Sequence, residues 1–178
     1  MAYVTEPVRQ EAAAFNQSHS DAVWERAQEH ALRSFRAGET APARNGWKKA
    51  FELAERHFSW GDPRVAASYT NQAFSLNRQQ QAYEAKHLLE EAVRCWEDSW
   101  RWVPLMVPLS TDEAQFDEEE QKAFYALIRQ GQSITEALAE GRPLPKGGLE
   151  DWLATRPARM CDERKLLAAV HLMVSKAP

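Results

Sequence analysis

Five histidines (His19, His30, His57, His87 and His171) and two cysteines (Cys95 and Cys161) are the side chains best suited to metal binding or covalent chemistry. A helical zinc-protease site needs two histidines four apart with a glutamate beside the first, and a structural zinc site needs four ligands at set spacings. No pair of these histidines forms an H-x3-H or HExxH pattern. His87 and Cys95 are eight apart and can share a helix face, but two ligands do not close a site. Cys161 stands at an expected helix start, where a thiol pKa can fall; the plainer expectation is a half-buried, unreactive cysteine. There is no Gly-rich phosphate loop, nucleophile elbow or CxxC pair, and Glu90 and Glu91 are ordinary helix carboxylates. These residues point to a protein that is not an enzyme and carries no cofactor and no metal.

The elements that would position any site are helical. Ala, Glu, Gln, Arg and Leu are plentiful, whereas Gly (7) and Pro (9) are scarce. Alternating Val, Ile and Thr runs are missing, so a substantial sheet is not expected. The 178 residues suit one domain, or one domain plus a tail. With 44% hydrophobic and 27% charged residues the chain is not disordered throughout. A net charge of -4 weighs against a nucleic-acid partner, because such binding rests on phosphate neutralisation. No stretch approaches the ~20 apolar residues of a membrane span, and the start lacks a basic, then apolar, leader. The expectation is a cytoplasmic protein with two free thiols and no membrane contact.

Helical spacing covers 22–37, with apolar residues at Val23, Trp24, Ala27, Ala31, Leu32 and Phe35. Gly38 ends that run. Thr40-Ala41-Pro42 opens a second helix, Thr40 or Ala41 near its cap and Pro42 in its first turn. Gly46 sits inside it at a cost of ~1 kcal/mol relative to Ala. Asp62 caps a third helix reaching about Arg78, and a fourth covers about 81–103 before Pro104 and Pro108. A fifth is expected at 113–130, ended by Gly131, and a short sixth at 133–140, ended by Gly141. A few helical residues are expected at 11–15 and 149–154, and a last helix at 161–175. The domain reading is a segment 1–20, two helix pairs at 21–104, and a helical extension at 105–178.

The two pairs repeat. Ala31, Ala43 and Ala50 recur 42 residues later as Ala73, Ala85 and Ala92, and Arg36/Arg78, Glu55/Glu97 and Trp60/Trp102 share the offset. A small residue midway along the first helix lets the second approach closely, and two more on the second helix, seven apart, accept that approach. Trp47 in one unit and Leu89 in the other close the layer. This pattern resembles tetratricopeptide repeats, and the 42-residue period with DPRVAASYTNQAFSL (62–76) and AKHLLEEA (85–92) is similar to the kinesin-light-chain type. There are departures: Gln72 stands where the family prefers Leu, and Gln80 stands where the first unit has Gly38. Tyr83 is one place nearer the following alanine than the usual aromatic, and the first unit lacks the Asn that Asn71 supplies in the second. The likeness spans roughly 22–103.

The resemblance implies an all-α fold, antiparallel helix pairs stacked as a short solenoid with a helical C-terminal extension. It also implies a function: a scaffold, adaptor or assembly factor that binds a protein or peptide segment on its concave face. Carried over residue by residue, that face is Gln28, Glu29, Leu32, Phe35 and Arg36 in the first unit. In the second it is Thr70, Asn71, Phe74, Asn77 and Arg78. An Asn can hold a bound backbone and a paired Arg can fork onto a carboxylate, unless the C-terminal part of the chain fills the face itself. Two units are fewer than the ~3 a solenoid usually needs, so C-terminal helices or a second copy should cover the exposed end.

Two further features carry alternatives. Trp96 and Trp100 share a helix face, with Trp60 and Trp102 nearby; aromatics at this spacing are core in the plain reading and an interface anchor in the functional one. Residues 111–141 carry a net -6 and residues 142–178 a net +3; the acidic helix is a solvated face, or it steers a basic partner or pairs with the basic tail. The competing functions are a regulatory domain holding a small ligand between repeats and C-terminal helices, and a structural homo-oligomer.

Overall fold

The computed structural model describes residues 19–101 and 118–143. These residues form five α-helices, with no strand among them: α1 (His19–Arg36), α2 (Thr40–His57), α3 (Pro63–Arg78), α4 (Ala82–Ser99) and α5 (Glu118–Ala139). The expected helices at 11–15, 149–154 and 161–175, together with Trp102, Pro104, Pro108, Cys161 and His171, lie outside the described residues.

The helix ends follow from local chemistry. Asp62 caps α3 as expected: its Oδ1 accepts from the Arg64 N–H at 2.8 Å, and Pro63 takes the first position, where no donor is needed. The cap of α2 is Glu39, just before the Thr40 or Ala41 expected, and it makes no side-chain cap bond. α1 and α3 end identically. Glu39 N–H bonds Ser34 C=O at 2.8 Å and Gly38 N–H bonds Phe35 C=O at 3.0 Å, closing the Schellman motif. Forty-two residues on, Gln81 N–H bonds Leu76 C=O and Gln80 N–H bonds Asn77 C=O. Gly38 has φ +77° and Gln80 φ +62°. α5 ends the same way at Gly141.

The expected break at Gly131 does not occur. α5 is one helix of 22 residues. A glycine stops a helix when it turns to positive φ, and Gly131 does not. Ile128, Ile134 and Thr135 are all buried on the face that meets the rest of the fold. That packing carries the helix through a residue that costs ~1 kcal/mol.

Each helix packs on the next, α1 on α2, α2 on α3, α3 on α4 and α4 on α5, and α5 also reaches α3. All six repeat alanines are buried. Gly46 explains itself here: a Cβ at that position would stand 2.8 Å from Ala31 Cβ and 3.0 Å from Ala31 backbone, so only glycine lets α1 and α2 approach this closely. Trp47 and Leu89 are buried between the alanines, as their spacing implied. Between α2 and α3 the Asp62 carboxylate and Arg64 guanidinium form a buried ion pair at 2.7 Å, with the guanidinium 3.5 Å from the centre of the Phe58 ring. Trp24 Nε1 donates to Ser68 Oγ at 2.8 Å, tying α1 to α3.

Candidate functional site: an arginine-rimmed groove

Where α1, α2 and α3 meet, they leave a cavity of about 520 Å³. That lies within the ~300–1,000 Å³ typical of ligand clefts. α1 supplies Leu32, Phe35 and Arg36; α2 supplies Ala43, Arg44 and Trp47; Ser75, Arg78 and Gln79 close the third side. The floor is aromatic. Phe35 and Trp47 have centroids 5.4 Å apart, and Phe74 meets both edge-on at 5.7 and 5.8 Å. Such tilted and edge contacts suit the ring quadrupoles and fix the rings in place.

The rim is cationic. Arg78 Cζ lies 5.6 Å from the Phe35 centroid and 5.9 Å from that of Phe74, a cation–π placement that holds its fork over the floor. Arg44 Nη1 donates to Gln79 Oε1 at 3.4 Å, and Gln79 Nε2 donates to the Ser75 carbonyl at 3.0 Å. Arg36, Arg44 and Arg78 have no carboxylate partner among the described residues. Three uncompensated guanidiniums around an apolar floor favour an anionic group next to a bulky apolar one.

The ten residues assigned to the concave face separate into three groups. Leu32, Phe35, Arg36 and Arg78 line the cavity, and Phe74 packs directly against its floor. Gln28, Thr70 and Asn71 are buried. Gln28 Nε2 donates to Ser68 Oγ at 3.3 Å, and its Oε1 accepts from Asn71 Nδ2 at 3.4 Å. Thr70 bonds Thr135 of α5 at 2.8 Å and accepts from Trp96 Nε1 at 3.3 Å. Glu29 and Asn77 are exposed and stand outside the cavity lining. Thus α5 meets the second unit at Thr70 as α3 meets the first at Gln28, while Leu32 and Arg36 line the cavity. The α2 contribution, Arg44 and Trp47, was missed because the resemblance implied only the first helix of each unit. Their i, i+3 spacing, which places both on one helix face, is the signal that finds them.

The other candidates resolve into packing. Trp96 is buried, and Trp100 stacks on Tyr125 of α5 at 5.0 Å with Arg129 above it. Trp60 is 47% exposed and belongs to a different group, donating to Asp98 at 2.8 Å beside Tyr69. Cys95 is fully buried, and burial pushes its thiol up to about 12, which makes it a poor nucleophile. His87 is exposed, so the two do not share an environment. Among the described residues no group of three or more His, Cys, Asp or Glu is placed to hold a metal, and no helix is long and apolar enough to cross a membrane.

No protein-family model matches this chain, and no curated protein or solved structure is found similar to it.

Proposed function

We propose that the chain is a protein–protein interaction module, a cytoplasmic scaffold, adaptor or assembly factor. In this reading its helices form a short tetratricopeptide-like solenoid of antiparallel pairs, and the α1–α2–α3 groove takes a segment of a partner protein. The observation that carries it is the pairing of an aromatic floor with three arginines that have no carboxylate partner among the described residues. The repeated alanines and the matching turns at Gly38 and Gln80 support the repeat architecture.

The test compares wild type with Arg36→Ala/Arg78→Ala, both exposed positions whose loss spares the core. Each is used as bait, with cross-linking mass spectrometry to locate the captured segment. Expected is a partner segment cross-linked beside the groove in wild type and lost in the variant, at unchanged helicity and mass. Capture that is equal in both, or cross-links elsewhere, overturns the groove reading.

The cavity's size also suits a small anionic ligand. That second reading is favoured instead if anionic metabolites raise the melting temperature of wild type and not of the arginine variant.

A further inference from the structure

The arginine rim calls for a carboxylate-bearing occupant, and the chain contains one within reach. Leu138, near the end of α5, packs against the cluster of Ala31, Leu32, Ala43, Trp47 and Phe74, of which Leu32, Ala43 and Trp47 line the groove from α1 and α2. The described chain ends five residues later, at 143. The residues that follow read LPKGG (144–148) and then LEDWL (149–153), which lie outside the described residues. LEDWL sets two carboxylates, Glu150 and Asp151, among Leu149, Trp152 and Leu153. The six residues from 143 to Leu149 span up to about 21 Å when extended. The other acidic run, 111–117, joins α5 at its opposite end, a helix length of ~33 Å from Ala139. Of the two, only the segment after α5 follows the helix end at which Leu138 packs.

We propose that residues 149–153 of this chain dock in the arginine-rimmed groove, Glu150 and Asp151 on the Arg36, Arg44 and Arg78 guanidiniums and Trp152 on the aromatic floor. The proposal rests on the groove being a segment-binding site. It makes the site self-regulated. Linkage through a few residues gives an effective concentration on the order of 1 mM. A tail segment of ~100 µM intrinsic affinity then fills most grooves and weakens an external competitor about tenfold. A partner must outcompete the tail, or the tail must be withdrawn.

The probe is a fluorescein-labelled peptide of the 147–155 sequence, titrated by anisotropy into the full chain and two variants. In the first variant, Glu150→Lys/Asp151→Lys/Trp152→Ala removes the internal competitor without touching a described helix. In the second, Arg36→Glu/Arg78→Glu is added. Helicity is checked for each, and mass by light scattering. The expected result is at least tenfold tighter peptide binding by the first variant than by wild type, and loss of binding in the second, all as monomers. Equal, arginine-dependent binding by wild type and the first variant overturns self-docking and leaves the groove reading standing. Binding that survives the arginine reversal overturns both. No binding to the first variant shows that LEDWL is not a groove ligand and overturns self-docking, while the cross-linking experiment separately decides the groove. A wild-type dimer that the tail variant dissolves assigns the segment to a second copy and overturns docking within one chain.

Discussion

The two helix pairs, α1–α2 and α3–α4, carry buried alanines at the same offset, end their first helices in the same turn and are each followed by a helix packed on their second member, yet the cavity described above lies against the first pair. The difference lies in what fills the space between the alanines. In the first pair Gly46 lets α2 close onto Ala31; in the second the corresponding residue is Leu88, half-buried. In the first pair Ala54 is small where the second has Trp96, which is buried and bonded to Thr70. The large residue on α4 gives α5 a surface to cover. On α2, which α3 covers, the same position is the buried Ala54, and the large rings of the first pair, Phe35 and Trp47, stand at the groove. Matching scaffolding thus carries different side chains: Trp96 beneath α5 in one unit, and Phe35 and Trp47 beside a cavity in the other.

The largest expected effect comes from making the second pair like the first. Trp96→Ala should cost ~3–5 kcal/mol, with the midpoint of urea unfolding lowered and amide protection lost first in α5. A cost under ~1 kcal/mol would show that α4 does not anchor α5 and would collapse the contrast between the pairs. Next is Gly46→Ala. The helix-propensity gain of ~1 kcal/mol should be outweighed by overpacking against Ala31, for a net loss of ~1–3 kcal/mol. Leu88→Ala, at the same repeat position, should instead lose only buried apolar area, about 1 kcal/mol or less. Equal responses at 46 and 88, measured by denaturant titration, would mean that the two interfaces are equally close.

A third effect is confined to alkaline pH and to the second pair. The Cys95 thiol, at 9.0 in its ordinary state, is pushed up to about 12, first by burial. The folded chain therefore keeps a proton that the unfolded chain releases. This stabilisation is fully present below about pH 9 and is lost as pH rises toward about 12. Tyr69, raised by burial and by its bond to Glu55, acts in the same direction. Cys95→Ala should flatten the fall of unfolding free energy between pH 9 and 11, while its first-pair counterpart Leu53 has nothing to titrate. An unchanged slope would place the alkaline loss elsewhere. The smallest effects are at the matching turns. Gly38→Ala should cost ~1 kcal/mol through positive φ alone, since no atom lies within 4 Å of a Cβ there. Gln80→Gly should gain ~0.5–1 kcal/mol for the same reason. Opposite signs at 38 and 80 in thermal melts sharpen the view that the backbone repeats even where the residue does not.

The residues that were legible from sequence alone are those with a local cause. Asp62-Pro63 set the start of α3, and Gly38 and Gly141 set ends. The alanine spacing placed the buried positions because a small residue at a helix contact is needed at one point on a face, and that point recurs with the period. Gly131 misled because its helical state is imposed by Ile128, Ile134 and Thr135 packing on residues far away in sequence. The groove was legible by half. Arg36 and Arg78 stood out through their shared offset, and Leu32 and Phe35 through periodicity. Asn71 and Thr70 looked exposed because nothing near them in sequence announces the buried partners Gln28 and Thr135.

The contact between Thr70 and Thr135 also has a timetable. Ser99 completes α4 about forty residues before Ala139 completes α5. At ~5–20 residues per second a ribosome needs about 2–8 s for that interval. Helix pairs built from neighbouring segments form far faster than this. The nascent chain therefore holds a finished α1–α4 unit whose α3–α4 flank, with Thr70 and Trp96, still faces water. During those seconds the chain is a client for holdase chaperones, and codon choice between residues 100 and 139 becomes a lever on its yield.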